Sequence, residues 1–259
     1  MSAILEVKNL IKHFGGIRAI DGVSLKIPKS NERITGIIGP NGSGKTTLIN
    51  LITGFLRPDR GEIIYNGTNI THEPARLRAL KGLVRSFQLP SIFNNLTVEE
   101  NIALSVYRRI LMSKRKSVDL EIFYKRVEKN NDIRAEIEFI LDIFNLTKYR
   151  FDPLGKLPYG FKRLVEVAMC YALKPKILFL DEPFAGLNDV EIERLCETLL
   201  SIVKNNYIDY LVIVEHKITW LRIVAKRLLV MFEGKLIADG ETETILNSEE
   251  VNKLYWGKV

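Results

Sequence analysis

The run Gly39-Pro40-Asn41-Gly42-Ser43-Gly44-Lys45-Thr46-Thr47 carries the residue types that grip a polyphosphate. Its glycines let the backbone curl until several N–H groups point at one anion, and a helix opening at Thr46 adds the positive end of its dipole. The pattern is G-x-x-x-x-G-K-[ST]. Lys45 is therefore expected to reach the β- and γ-phosphates of a nucleoside triphosphate, and the Thr46 hydroxyl to coordinate Mg2+. Far downstream an acidic pair, Asp181-Glu182, closes the apolar run Ile177 to Leu180. Hard cations take oxygen ligands and keep several waters, so Asp181 is expected to complete the Mg2+ shell through water. Glu182, facing the other side of the chain, is placed to accept a proton from an attacking water. A plain glycine turn and a loop-opening acidic pair are the bland alternatives. The buried run before each, together with the helical continuation, favours chemistry.

Those side chains need a scaffold, and the sequence sketches one. Ile34 to Ile38 is mostly apolar and partly β-branched, as befits a central strand buried on both faces. Ile177 to Leu180 and Leu211 to Val214 repeat that character, each followed by helical periodicity, which predicts an α/β fold with a mostly parallel sheet. Open sheets of this kind bind ligands at the carboxyl ends of their strands, where the Asp181 pair falls. Ala3 to Val7 and Val23 to Ile27 are expected to be short strands, and Glu62 to Tyr65 with Asn66-Gly67 a strand and turn. From about Leu96 to Phe144 no strand-like run occurs, so an inserted, mostly helical subdomain is expected there. It carries the basic cluster Arg108, Arg109, Lys114, Arg115 and Lys116, read as a solvated helix face, with anionic lipid headgroups as the alternative it could meet. Leu228 to Phe232, Glu233-Gly234 and Leu236 to Ala238 predict a closing hairpin, with a helix from about Glu241. The expected organisation is a single domain over 1–259. Its catalytic core would occupy about 1–88 and 164–259, and its helical subdomain about 89–163.

Composition narrows the class. With 46% hydrophobic and 27% charged residues the chain is a folded globular protein, not a disordered one. The net charge of +7 suits several anionic partners and selects none. The two cysteines, Cys170 and Cys196, show no metal spacing, and Cys170 lies in an apolar helical pattern as a small core residue. The N-terminus has no secretory pattern and no apolar run approaches bilayer-spanning length, so any membrane role must come through a partner.

Phe14, the phosphate loop, Gln88, Leu157-Pro158-Tyr159-Gly160-Phe161-Lys162-Arg163, Leu180-Asp181-Glu182-Pro183, Ala185-Gly186-Leu187-Asn188 and His216 occur in that order. Together they resemble the nucleotide-binding subunit of ABC transporters over almost the whole chain. The segment Gly82 to Gln88 with Phe93 and Leu96 to Asn101, then Val214-Glu215-His216 and Tyr255-Trp256-Gly257, is similar to one branch: the ATP-binding proteins of branched-chain amino-acid importers.

The resemblance implies the ABC ATPase fold: a P-loop NTPase core, an N-terminal antiparallel β subdomain and the inserted helical subdomain. It implies ATP and Mg2+ as ligands. Phe14 would stack on adenine, whereas a core phenylalanine is the residue-level alternative. Gly39, Asn41, Gly42, Ser43, Gly44, Lys45, Thr46 and Thr47 would hold the phosphates. Gln88 would touch Mg2+ or the lytic water and link the site to the helical subdomain, and His216 would hydrogen-bond the γ-phosphate. Glu182, His216 and Gln88 form the implied catalytic set, with Thr46, Gln88 and Asp181 at the metal.

Tyr159 and Gly160 would reach ATP held by a second ATP-binding subunit, identical or paralogous, with the helix Arg163 to Leu173 aimed at its γ-phosphate. The other implied partners are an integral membrane permease and, indirectly, a solute-binding protein; nucleic acid is not expected. The implied location is cytoplasmic, peripheral on the inner face of the cell membrane. Leu89 to Phe93 is a candidate permease contact or, equally, core. Where most members have Leu-Ser-Gly-Gly-Gln, this chain has Pro158, Tyr159 and Phe161, so the serine hydroxyl is missing. Another solute, lipid export, a non-transport ABC ATPase and a P-loop kinase are the rival readings.

Overall fold

The computed structural model describes residues 3–87, 91–114, 130–249, 251 and 253. Two sheets form. The smaller is antiparallel, in the order β2-β1-β4-β5, from β1 (Leu5–Phe14), β2 (Ile17–Ile27), β4 (Arg60–Tyr65) and β5 (Thr68–Asn69). The larger has six strands, ordered β10-β9-β3-β8-β7-β6. Its members are β3 (Ile34–Ile38), β6 (Leu83–Arg85), β7 (Ile177–Asp181), β8 (Tyr210–Val214), β9 (Arg227–Phe232) and β10 (Lys235–Glu241). Five run parallel; only β10 returns antiparallel, as the hairpin partner of β9.

The apolar runs fill this sheet because both of its faces are covered. Leu178, Leu180, Leu211, Ile213, Leu228 and Val230 pack into one core, beneath the helices. Their alternating neighbours Phe179, Val212, Val214, Leu229 and Met231 pack into the other, against the antiparallel sheet and α1 (Lys45–Thr53). A strand apolar on every residue is stable only when layered on both sides.

The helical part consists of α3 (Val98–Lys114), α4 (Asn131–Ile143), two single 3-10 turns and α5 (Tyr159–Ala172). α4 starts where Asn130 caps it, accepting N–H bonds from Asp132 and Ile133. α2 (Ala75–Leu80), α6 (Asp189–Lys204), α7 (Ile218–Val224) and α8 (Thr242–Leu246) are the other helices among the described residues.

Several expectations shift. The N-terminal strands are twice the expected length, because bulges at Val7/Leu10 and Lys12/His13 interrupt the alternation by which a strand is recognised. β6 is an additional strand, three residues long and too short to announce itself. α5 begins at Tyr159, not Arg163, and a division at residue 163 falls inside this continuous helix. β10 runs on to Glu241, so the last helix within 241–249 has only five residues. The basic cluster is not uniformly solvated: Arg109 is half-buried and pairs with Glu136 on α4 at 2.7 Å. Arg115 and Lys116 lie outside the described residues, as does Tyr255-Trp256-Gly257. Cys170 sits partly buried against the core.

Candidate functional site

The phosphate loop joins the central strand β3 to α1. Gly44 caps α1 with φ of 102°, and a Cβ there would stand 2.4 Å from the Ala19 carbonyl oxygen. No side chain caps the helix and its first turn holds no acidic residue. The first N–H groups of a helix have no intrahelical partner, so this end is an anion site by construction. Ser43 is buried, and its Oγ has no hydrogen-bond partner. Asn41 and Gly42 lie exposed on the loop, and Thr47 is half-buried in the first turn of α1.

Lys45 is 5% exposed, and its Nζ donates to the carbonyls of Gly39 at 2.8 Å and Pro40 at 3.0 Å. Burial pulls its pKa below the ordinary lysine value, against the attraction of Glu182 and Asp181. The Thr46 hydroxyl lies 3.4 Å from Asp181 Oδ1. Asp181, at the end of β7, is 1% exposed; Arg85 from β6 donates to its Oδ2 at 3.0 Å, and the Asp181 N–H donates to Ser86 Oγ at 3.1 Å. Burial raises the Asp181 pKa, and the Arg85 guanidinium opposes that rise. Arg85 also bonds Asn50 and lies 5.0 Å from the Phe87 ring centroid.

Glu182 follows in a left-handed conformation, φ 49°, and donates its N–H to the Val214 carbonyl at 2.9 Å. A non-glycine residue held there is strained and persists only where its surroundings fix it. Its Oε1 lies 3.1 Å from His216 Nε2. An unpartnered buried hydroxyl, a helix start without its own anion, and a hydroxyl beside a carboxylate fit a phosphate chain with a hard cation. Among the described residues no three His, Cys, Asp or Glu side chains group around a metal. Thr46 and Asp181 would therefore share such a cation with phosphate oxygens and water.

Phe14 ends β1 with its ring 45% exposed and Lys12 Nζ 5.5 Å from the centroid, so it is not a core phenylalanine. The partner strand β2 carries Ala19, the residue against Gly44. Gln88 lies outside the described residues.

The segment from Leu157 makes a different set of contacts. Pro158 caps α5 from outside, φ −53° and ψ 157°, instead of occupying its first helical position. Tyr159 is exposed beside Gly186, and a Cβ on Gly160 would stand 2.3 Å from Glu191 Oε1. Glu191 closes the capping box of α6 with Asn188. Phe161 packs on Tyr149 at 4.5 Å between centroids, under Arg194.

The side chain that sequence reasoning quoted without a role is Arg163. It is 1% exposed and donates to the carbonyls of Asp181 (2.9 Å), Glu182 (2.7 Å), Pro183 (3.2 Å) and Phe87 (3.0 Å), and to Glu166. Glu166 in turn accepts the Phe87 N–H at 3.2 Å. Arg85 and Arg163 thus hold Asp181 and Glu182 from two sides. No spacing rule reveals either role, because their partners come from distant strands.

Lys45, Thr46, Asp181, Glu182 and His216 therefore meet at one end of the parallel sheet, while Tyr159 and Gly160 attach to the loop and helix after Glu182. This is the layout of a phosphate-loop nucleotide hydrolase with a helical attachment. Residues 20–185 match the ABC transporter family. The chain is 34% identical over 258 residues to the high-affinity branched-chain amino acid transport ATP-binding protein BraF of Pseudomonas aeruginosa, covering 98% of each. It is also 34% identical over 261 residues to a probable branched-chain amino acid transport ATP-binding protein LivG of Methanocaldococcus jannaschii, again 98% of each. A crystal structure of an ATP-binding cassette of an ABC transporter in its ADP conformation superposes with a TM-score of 0.81 at 31% identity, covering 100% of both chains. The chain belongs to the ABC transporter family, as its ATPase subunit.

Proposed function

We propose that this ATPase subunit drives the import of branched-chain amino acids through a separate membrane permease, working beside a second ATP-binding subunit on the cytoplasmic face of the membrane. The observation that carries the hydrolytic part is the meeting of Lys45, Thr46, Asp181, Glu182 and His216 at one sheet end. Similarity along 98% of the chain to amino-acid transport ATP-binding proteins supports the solute class. Among the described residues no helix is long and apolar enough to cross a membrane, in keeping with a separate permease. A solute-binding protein would deliver the solute to that permease.

The chain's own groups divide the work. The α1 amides, Ser43 and Lys45 bind the phosphates of ATP, and Phe14 offers an exposed ring for adenine. Thr46 and Asp181 would hold Mg2+, which would supply charge neutralisation at the phosphate oxygens. Glu182 takes the proton of the attacking water, and His216, in contact with Glu182, hydrogen-bonds the γ-phosphate. The α5 end offers N–H groups to ATP on the second subunit, a role that needs no hydroxyl at Pro158. Hydrolysis removes the γ-phosphate contacts across the pair and favours its opening.

Gly160 tests the shared site. A Gly160→Ala methyl pushes the Glu191 carboxylate away from the Asn188 N–H in its capping box and adds bulk at the α5 end, where ATP of the second subunit would approach. ATP turnover by the paired subunits is expected to fall by about tenfold or more, the cost of a misplaced charge-assisted hydrogen bond. Nucleotide binding by the single chain, followed by equilibrium dialysis, should stay within twofold.

The permease contact is best placed at a groove between α3 and α5. Phe93, 53% exposed, lines it with Leu104, Tyr107, Met169 and Leu173, around about 290 Å3 of space. Asn101, fully buried, holds Phe93 by its N–H at 2.8 Å and its carbonyl at 3.0 Å. Of the candidate segment 89–93, Leu89 and Pro90 lie outside the described residues. Ile92 packs partly on the core, so Phe93 is the residue to change. Phe93→Asp should leave the ATPase of the purified chain within twofold. It should also abolish co-purification with a membrane protein and uptake of radiolabelled leucine by cells. Unchanged uptake would overturn the contact. Leucine uptake that survives deletion of this chain from otherwise unaltered cells would overturn the solute.

A further inference from the structure

Glu215 is a carboxylate that the hydrolytic scheme leaves without a task. It follows β8 directly, is 2% exposed, and bonds within the protein. Its Oε1 accepts the N–H of Phe184 at 2.6 Å, on the loop that carries Glu182. Its Oε2 accepts the N–H groups of His216 at 2.9 Å and Lys217 at 3.2 Å. One buried carboxylate thus joins the loop after β7 to the loop after β8. Three amide donors on one ionised group are charge-assisted bonds, shorter and stronger than neutral ones.

The loop that carries Glu182 has an unusual geometry. Glu182 sits in the left-handed region, a conformation that its surroundings must hold. Phe184, two residues on, is fully buried, which fixes the far end of that turn. On the other loop, Lys217 Nζ reaches across to the Leu187 carbonyl at 3.2 Å, a second and weaker tie between the same two segments. Between the two ties lies the contact of His216 Nε2 with Glu182 Oε1 at 3.1 Å.

We infer that Glu215 is a positioning residue that staples the Glu182 loop to the His216 loop and so sets the proton-accepting pair for hydrolysis. The inference rests on Glu182 and His216 serving hydrolysis as proposed above. It assigns Glu215 to turnover and not to holding the nucleotide, since none of its three bonds involves the phosphate loop. A displacement of about 1 Å in a reacting group is enough to lower a rate by about a hundredfold.

The test compares full-length Glu215→Gln, Glu215→Asp, Glu182→Gln and His216→Ala with the unaltered chain, using ATP with Mg2+. Glutamine keeps the shape but turns an NH2 group toward one set of amide donors, so one half of the staple is lost. Aspartate keeps the charge but is one methylene too short to span both loops. Both Glu215 variants should lower kcat by about tenfold or more, with the KM for ATP and the dissociation constant of a fluorescent ATP analogue within twofold.

Wild-type kcat in either folded variant would overturn the staple. So would a fall in kcat matched by an equal loss of nucleotide affinity, the mark of a generally deformed site. If one variant does not fold, the other decides; if neither folds, Glu215 is a structural residue only and the inference fails. Normal turnover by Glu182→Gln and His216→Ala would instead strike down the hydrolytic reading itself, so the two failures are told apart.

Discussion

Glu182→Gln is expected to bind ATP with Mg2+ about as tightly as the unaltered chain and to cleave it at least a hundredfold more slowly. The glutamine amide has the same size and can still meet His216 Nε2, now 3.1 Å from the carboxylate, but it cannot take a proton. Loss of a positioned general base costs about two to four powers of ten in rate. In the proposed scheme binding rests on the α1 amides, Ser43 and Lys45, which the substitution leaves in place. Phosphate release in a single turnover, alongside equilibrium binding, separates the two. With ATP persisting, the two subunits should also stay together longer on a sizing column. Cleavage near the normal rate would remove Glu182 from the chemistry and leave the site without its base.

The largest effect on stability is expected at Arg163. Arg163→Leu deprives the carbonyls of Asp181, Glu182, Pro183 and Phe87 of a donor and leaves Glu166, 3% exposed, without its cation. Removing one partner of a buried ion pair costs about 3–5 kcal/mol, because the other charge remains buried. For a domain of this size that lowers Tm by roughly 6–20 °C. Burial already raises the Glu166 pKa, with Arg163 as the main opposing influence, so Glu166 should take up a proton more readily in the variant. The double variant Arg163→Leu with Glu166→Leu should recover part of the loss. Arg163→Lys should not, since a single ammonium cannot reproduce the guanidinium's spread of donors. Thermal and urea unfolding of the four proteins check all three statements. A drop under about 1 kcal/mol in Arg163→Leu would mean that the network is not what holds the Asp181–Glu182 turn.

Much of the candidate site was legible in the sequence alone. The phosphate loop, Asp181 and Glu182 are local patterns: glycines at fixed steps, a strand ending in carboxylates, a lysine and a hydroxyl side by side. β3, β7 and β8 were legible for the same reason, since a strand covered on both faces is apolar at most of its positions. Strands that a bulge interrupts were legible only in part, so Phe14 was weighed as a core residue when it stands exposed at a strand end. The start of α5 was misplaced: the helix was expected from Arg163, whereas Pro158 is its N-cap and the helix opens at Tyr159.

What the sequence determined by itself was the chemistry: which short stretches can hold phosphate, bind a cation and accept a proton. Only the tertiary structure decided how those groups are aimed. Thr46 meets Asp181 across 135 residues of chain, Arg85 meets Asp181 across 96, and Arg163 collects carbonyls from both sides of the turn at Glu182. Pattern along a chain reports neighbours within a turn or a strand. Pairings between distant strands depend on sheet order, and that order is settled by which apolar faces can be buried together.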